Sequence, residues 1–174
     1  DAKKAGLGFI TEDRKEEGLI LNMDLHTNVG MAILDQLKKG FGLDLKRESV
    51  LMDEYIKSLS IKCRDSNQKA KALSGGNQQK VVIAKWLATK PKVLIMDEPT
   101  RGIDIGSKNQ IYALINDLAK QGIGIIMISS ELPEVLQVAN NIVVFAAGKV
   151  TGRLENKDLT QDILLDYATS QKAV

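Results

Sequence analysis

The sequence predicts an α/β fold with a parallel sheet and a small helical subdomain, and three stretches carry that prediction. Val93 to Met96 is a continuous apolar run, the pattern of a strand covered on both faces, and it ends at two adjacent carboxylates, Asp97 and Glu98. Ser107 to Gln121 places Ile111, Leu114, Ile115 and Leu118 at i, i+3, i+4 and i+7, which predicts an amphipathic helix stopped by Gly122. Ile123 to Ile128 is a second apolar run. Two apolar strands joined by such a helix form a right-handed βαβ unit, and that connection makes them parallel.

The remaining elements follow in order. Gly6 to Thr11 reads as a short strand, and the charged run from Glu12 to Gly18 as a solvated loop closed by glycine. Asn28 to Lys39 aligns Val29, Ala32, Ile33 and Leu37 on one helical face, with lysines near its end and Gly40 after it. Arg47 to Leu59 is a second amphipathic helix with Leu51, Met52, Tyr55, Ile56 and Leu59 inward. No strong strand lies between Leu19 and Ala72, so residues from about 20 to 72 read as a helical insertion between β elements. His26, at its entrance, reads as a plain surface histidine. Ser66 to Lys71 is loop-like. Asn77 to Thr89 is helical by the spacing of Val81, Ala84, Leu87 and Ala88, and Lys90-Pro91 ends it. Ser107 and Gln110 have the spacing of a capping box. Glu131 to Ala139 is a short helix with Pro133 in its first turn. Ile142 to Phe145 and Lys149 to Leu154 flank Ala146-Ala147-Gly148 as a hairpin, and Thr160 to Ala168 closes the fold as a helix. The organisation is one domain over residues 1–174, with 1–19 and 73–174 as α/β core.

Composition removes several function classes. The chain has 174 residues, enough for one sizeable core, and its net charge of +2 is too small to argue for nucleic acid. Aromatics at 4% also argue against base-stacking platforms. The single cysteine, Cys63, excludes an internal disulfide and has no Cys or His at metal-ligand spacing, so it reads as a structural or surface thiol. No apolar run reaches the ~18 residues of a membrane span. No secretory signal opens the chain, and a start at Asp1 close to a strand suggests a piece of a longer polypeptide.

Two motifs carry chemistry. A strand that delivers Asp97 and Glu98 to its C-terminal edge puts them where ligands bind in open α/β sheets. One carboxylate can hold Mg²⁺ through its water shell, and the next can orient or deprotonate an attacking water. The bland alternative is an element terminus that favours acidic residues. Upstream, Leu73-Ser74-Gly75-Gly76-Asn77-Gln78-Gln79-Lys80 opens a helix with two glycines. Glycines let backbone approach an anion, and the helix N-terminus aims its free N–H groups and dipole at the same point. A flexible linker before a helix is the alternative there.

Taken together, LSGGNQQK followed by LIMDEPT resembles the ATP-binding-cassette ATPases, with their signature motif, Walker B strand and adjacent glutamate. Gly102-Ile103-Asp104 resembles the D-loop. EDRKEEGL, NQQKVVIAKWL, DEPTRGIDIGSK and ISSELPEV resemble one subgroup: the C-terminal cassette of the tandem ATPases of bacterial importers of ribose, galactose and xylose type. The likeness runs from about Gly6 to Leu154. It implies a P-loop NTPase core, ATP and Mg²⁺ as cofactors, and ATPase activity coupled to carbohydrate uptake. It implies Asp97 at Mg²⁺ and Glu98 at the attacking water. It puts Ser74, Gly75 and Gly76, with Asn77 and Gln78 beside them, at the γ-phosphate of a nucleotide held by an opposing cassette, and Asp104 across that interface. The implied partners are an N-terminal cassette of the same polypeptide, membrane-spanning permease subunits that dock on the helical insertion, and indirectly a sugar-binding protein. The implied place is cytoplasmic, on the inner face of the membrane.

The chain departs from this family at three points. No G-x-x-x-x-G-K-[ST] occurs; Gly106-Ser107-Lys108 and Gly148-Lys149 lack the spacing. The phosphate loop and the adenine-stacking aromatic are thus expected upstream of this chain, which reads as a cassette fragment without Walker A and as a weak ATP binder alone. Open strand edges would then favour self-association. The switch histidine of the family aligns with Ser130, which carries no charge. The Q-loop glutamine aligns with Glu12, whose charge near a triphosphate needs compensation, with Arg14 and Lys15 as the nearest cations. An asymmetric pair of sites is the expectation. Rival readings are a DNA-repair or translation cassette, disfavoured by the short insertion and near-neutral charge, and a non-hydrolytic interaction fragment.

Overall fold

A computed structural model of the chain describes residues 1–170, which divide into two compact units, one ending at Ile128 and one beginning at Ser129. In the first unit, β1 (Leu7–Ile10) is followed by α1 (Leu25–Gly30), α2 (Leu34–Leu37), the two-residue strands β2 (Lys38–Lys39) and β3 (Gly42–Leu43), and α3 (Leu45–Ser58). Then come α4 (Gly75–Leu87), β4 (Val93–Asp97), α5 (Ile105–Lys120) and β5 (Gly124–Ile128). The order β1-β4-β5 is parallel throughout, with Phe9 beside Ile95 and Ile95 beside Ile126. The expected parallel sheet is therefore present, with β4 at its centre.

Alternation along the strands sorts the sheet into two faces. Ile10, Leu94 and Met96 are fully buried on one, and α4 supplies Val81, Val82, Ile83 and Ala84 to the same core. The other face is not covered as the apolar runs predict: Phe9, Ile126 and Ile128 are 43%, 53% and 49% exposed. Asp97 ends β4 on this second face, two positions beyond Ile95.

The segment between β1 and α4 corrects three expectations. The predicted helix from Asn28 to Lys39 starts earlier, because Asp24 caps α1 by accepting from Thr27 N at 3.0 Å. It breaks into a 3₁₀ turn at Met31–Ile33, and Lys38–Lys39 leave as a strand. Gly40, at φ +58°, turns that strand back. The run from Arg14 to Gly18 is a π-helical turn rather than a loop, capped by the Asp13 carboxylate on Lys15 N and Glu16 N. His26 is not a plain surface residue. Its side chain is 18% exposed, with Nδ1 3.2 Å from Glu48 and Nε2 3.4 Å from Asp24. Buried Asn28 sits at the centre of this region: its Oδ1 accepts from Ile20 N at 2.7 Å, and its Nδ2 donates to the carbonyls of Ile20 and Asp24.

Cys63 is free and half-buried. Burial, reinforced by Asp65 and Asp53, pushes its thiol up.

The second unit is a hairpin carrying two helices: α6 (Leu132–Val138), β6 (Asn141–Ala146), β7 (Lys149–Glu155) and α7 (Gln161–Thr169). Ala147 and Gly148 both take positive φ at the hairpin turn, as two-residue turns that match strand twist require. Gly152 lets Tyr167 pack on β7, since a Cβ there would stand 2.8 Å from the ring. Among the described residues no helix is long and apolar enough to cross a membrane.

Candidate functional site

The C-terminal edge of the sheet organises the candidate site in the first unit. β1 and β4 run in register to Ile10 and Met96, so the turn holding Glu12 and the pair Asp97-Glu98 leave the sheet at one edge. Asp97 is the last residue of β4. Glu98 leaves the strand in the left-handed region at φ +44°, with its N–H donating to Ile128 O at 2.9 Å. That conformation is costly for a residue with a side chain, and it bends the chain sharply out of the sheet. The loop then tightens through Arg101 N to Glu98 O and Ile103 N to Thr100 O, with Thr100 fully buried.

Asp104 has a local task. Its Oδ1 accepts from Ser107 N at 2.9 Å and caps α5, so Asp104, and not Ser107 with Gln110, starts that helix. This bond holds the carboxyl below the usual carboxylate range. Gln110 turns instead to Lys80, whose Nζ donates to its Oε1 at 3.0 Å.

The glycines begin α4 rather than precede it, with Ser74 as N-cap residue. The side chain of Ser74 does not close that cap; its Oγ accepts from Asn77 Nδ2 at 2.8 Å. Asn77 Oδ1 in turn accepts from Lys62 N. Gln78 does not face outward: it is buried and donates to Ala70 O at 3.1 Å, which makes it a brace for the segment before α4. Gly76 is buried where a Cβ would stand 2.6 Å from Ser107 Cβ, so close approach of α4 to α5 requires glycine there. Sequence reasoning assigned both glycines to an anion; packing accounts for Gly76 without one.

Arg101 is the residue that sequence reasoning missed, and Arg14, expected only as a cation beside Glu12, has a different task. Arg14 is 9% exposed, and its Nη1 and Nη2 donate to Arg101 O at 2.7 Å and Gly102 O at 3.2 Å. Burial pulls its pKa down and Asp13 opposes that shift, but a guanidinium stays charged at neutral pH. Glu12 is compensated by Arg101, which forms an ion pair with it, and not by Arg14 as the spacing suggested. A cavity of about 390 Å³ is lined by Arg14, Lys15, Lys71, Gly75, Gln78 and Gly102, among others. Its charged lining is cationic and it adjoins the N-terminus of α4, which suits an anion.

Ser130 lies in the second unit and is exposed. Beside it, Ser129 Oγ donates to the buried Glu134 at 2.7 Å and accepts from Glu131 N at 3.0 Å. Among the described residues no group of three metal-ligating side chains occurs.

The profile of the ABC transporter family matches residues 3–101. Three bacterial proteins, each named ribose import ATP-binding protein RbsA, align with nearly the whole chain. The one from Oceanobacillus iheyensis is 51% identical over 170 residues, covering 97% of this chain and 34% of its own length. Those from Shouchella clausii and Bacillus subtilis are each 47% identical over 169 residues, with the same coverage. The chain thus spans about a third of the length of these relatives. A dimeric ATP-binding cassette solved in a post-hydrolysis state with ADP and Pi shares the fold at a TM-score of 0.70, with 24% identity, over 88% of this chain and 64% of that one.

Proposed function

The chain belongs to the ABC transporter family, and from that premise we propose that it is part of the ATP-hydrolysing component of a bacterial importer of ribose-type sugars. In this reading it is the C-terminal cassette of a polypeptide as long as its relatives, residues 20–72 are its small helical subdomain, and the whole acts on the cytoplasmic face of the membrane. The observation that carries the reading is one juxtaposition. The Ser74-Gly75-Gly76 turn that opens α4 packs on the loop from Asp97-Glu98 to Asp104. A phosphate-friendly helix end thus packs against the loop that follows an acidic strand end.

The residues have separable tasks. Ser74 and the first-turn N–H groups of α4 bind the γ-phosphate of a nucleotide held by the N-terminal cassette. Asn77 fixes the Ser74 hydroxyl by its hydrogen bond. Glu98, on its bent exit from β4, orients water in this chain's own site, and Asp97 holds the metal; Ser130 stands at the switch position. Bound Mg²⁺ supplies charge neutralisation on the phosphates. The permease docks on the helical subdomain, a sugar-loaded binding protein acts through it, and copies of the chain alone self-associate.

Two measurements test the reading. The full-length polypeptide that carries this chain turns over MgATP, faster with its permease in vesicles and sugar-loaded binding protein present; no turnover in that complete system rejects it. Residues 1–174 alone bind MgATP more weakly than micromolar, because phosphate positioning is most of this chemistry and the sequence has no phosphate-loop lysine. Calorimetry showing a micromolar site on residues 1–174 would overturn that part.

A further inference from the structure

Arg14 ties together segments that the proposed function uses separately. Its two terminal nitrogens serve carbonyls 87 and 88 positions away in sequence, and both belong to the loop that follows Asp97-Glu98. Gly102 presents its carbonyl from a left-handed conformation at φ +66°. A Cβ on Gly75 would stand 2.7 Å from Arg14 Nη2 and 3.2 Å from Gly102 O. Gly75 is therefore glycine because a guanidinium and a carbonyl occupy the space beside it. Glu12, two residues before Arg14, grips the side chain of Arg101, whose carbonyl Arg14 holds. The turn after β1 and the loop after β4 are thus clasped twice, in opposite directions, and the helix end at Gly75 rests on the clasp.

We propose that Arg14 is a positioning residue for ATP hydrolysis, setting the distance between the Ser74–Gly76 turn and the Glu98–Asp104 loop through its bonds to Arg101 O and Gly102 O. The inference rests on the ATPase reading above. A buried guanidinium is expensive unless its donors are satisfied, and here two of three nitrogens are spent on one loop while Nε, also buried, has no partner. The planar fork spans two successive carbonyls. A lysine ammonium is a point charge and would hold one of them at a time. A shift of the turn that bears Glu12 is carried by the fork to both phosphate-facing elements at once. Coupling of this kind needs a contiguous, discretely bonded path, which the clasp provides.

The test uses Arg14→Met and Arg14→Lys in the full-length polypeptide. Arg14→Met is expected to lower kcat by about tenfold or more, the scale of a lost charge-assisted hydrogen bond, with KM for MgATP moving less than about threefold. Sub-denaturing guanidinium should restore turnover to Arg14→Met, and methylammonium should not. Without nucleotide, amide exchange should quicken in residues 100–104 and 73–76 together, while β4 and β5 stay protected. Gly75→Ala should reproduce the kcat loss by pushing the guanidinium aside, and combined with Arg14→Met it should add little. Unchanged kcat overturns the proposal. So does a loss that guanidinium leaves unrepaired, or exchange that quickens throughout the first unit. Where Arg14→Met does not fold, Arg14→Lys is read by the same criteria. If the wild-type polypeptide itself turns over no ATP, the ATPase reading fails instead.

Discussion

Replacing Ser74 by arginine in the full-length polypeptide is expected to lower ATP turnover by about a hundredfold or more, the scale of losing preorganised donors to a transition-state anion. Ser74 is exposed and its hydroxyl is held by Asn77 Nδ2 rather than spent on its own helix cap. An arginine there adds bulk where the nucleotide would approach, and a second guanidinium near Arg14, which lies against Gly75. The companion change, Glu98→Gln, is expected to leave most turnover intact. The reason is the asymmetry proposed above: on that reading Ser130, which carries no charge, stands at the switch position, and Glu12, paired with Arg101, at the Q-loop position. On the same reading this chain's own site is the weaker of two, while its Ser74 turn completes the stronger. Both variants are read as steady-state ATPase rates on the same preparation. If Glu98→Gln abolishes turnover and Ser74→Arg is harmless, the assignment of the two half-sites is wrong.

The features legible in the sequence are those set by local pattern. β4 and its acid pair show as an apolar run ending in charge, and α5 as four apolar residues on one stripe. Both run in the structure within two residues of expectation. What was not legible depends on partners far away in sequence. Arg14 stands in a run of six charged residues, from Glu12 to Glu17, and such a run reads as solvated. Its burial is decided by carbonyls from the other side of the helical region. Gln78 continues a motif that suggests a ligand, yet it turns to Ala70 O because α4 must anchor the segment before it. The α5 start was misplaced at Ser107, whose spacing to Gln110 is that of a capping box. The extended backbone of Asp104, φ −67° and ψ 154°, makes Asp104 the cap instead. Gly75 and Gly76 show how one pattern serves two masters. Close packing against Arg14 and Ser107 demands the same residue that approach to a phosphate would. The apolar run of β4 predicted cover on both faces and that of β5 a buried strand; the structure covers one face of the sheet, because α4 and its neighbours pack on that side.

Asn28→Ala is expected to be the most destabilising single change outside the apolar core, costing about 3 kcal/mol. Asn28 is 1% exposed, and its amide meets Ile20 N, Ile20 O and Asp24 O within 3.0 Å. Alanine strips Ile20 N of its partner and takes one of two bonds from each of the Ile20 and Asp24 carbonyls, which keep Met23 N and the backbone N–H of residue 28; a part-buried donor left without its acceptor costs more than the net worth of the bond itself. Ile20 follows Leu19, whose N–H closes the turn that begins at Arg14. Loosening Asn28 therefore reaches the clasp as well as the helices. Urea unfolding of the two proteins measures the cost; a difference under about 1 kcal/mol would show that water or rearrangement replaces the amide. Asn28→Asp separates the two halves of the group. One oxygen keeps the bond from Ile20 N, while the other faces two carbonyls and cannot donate to them unless protonated. The folded state then favours the neutral acid, so its pKa lies above the ordinary value of about 3.9. The folded protein binds the extra proton, so the variant is most stable below that ordinary value and loses stability as pH rises through its folded pKa. Wild type lacks that trend at this position. A variant whose deficit is the same at low and neutral pH would mean that Asn28 acts through shape rather than through its donor.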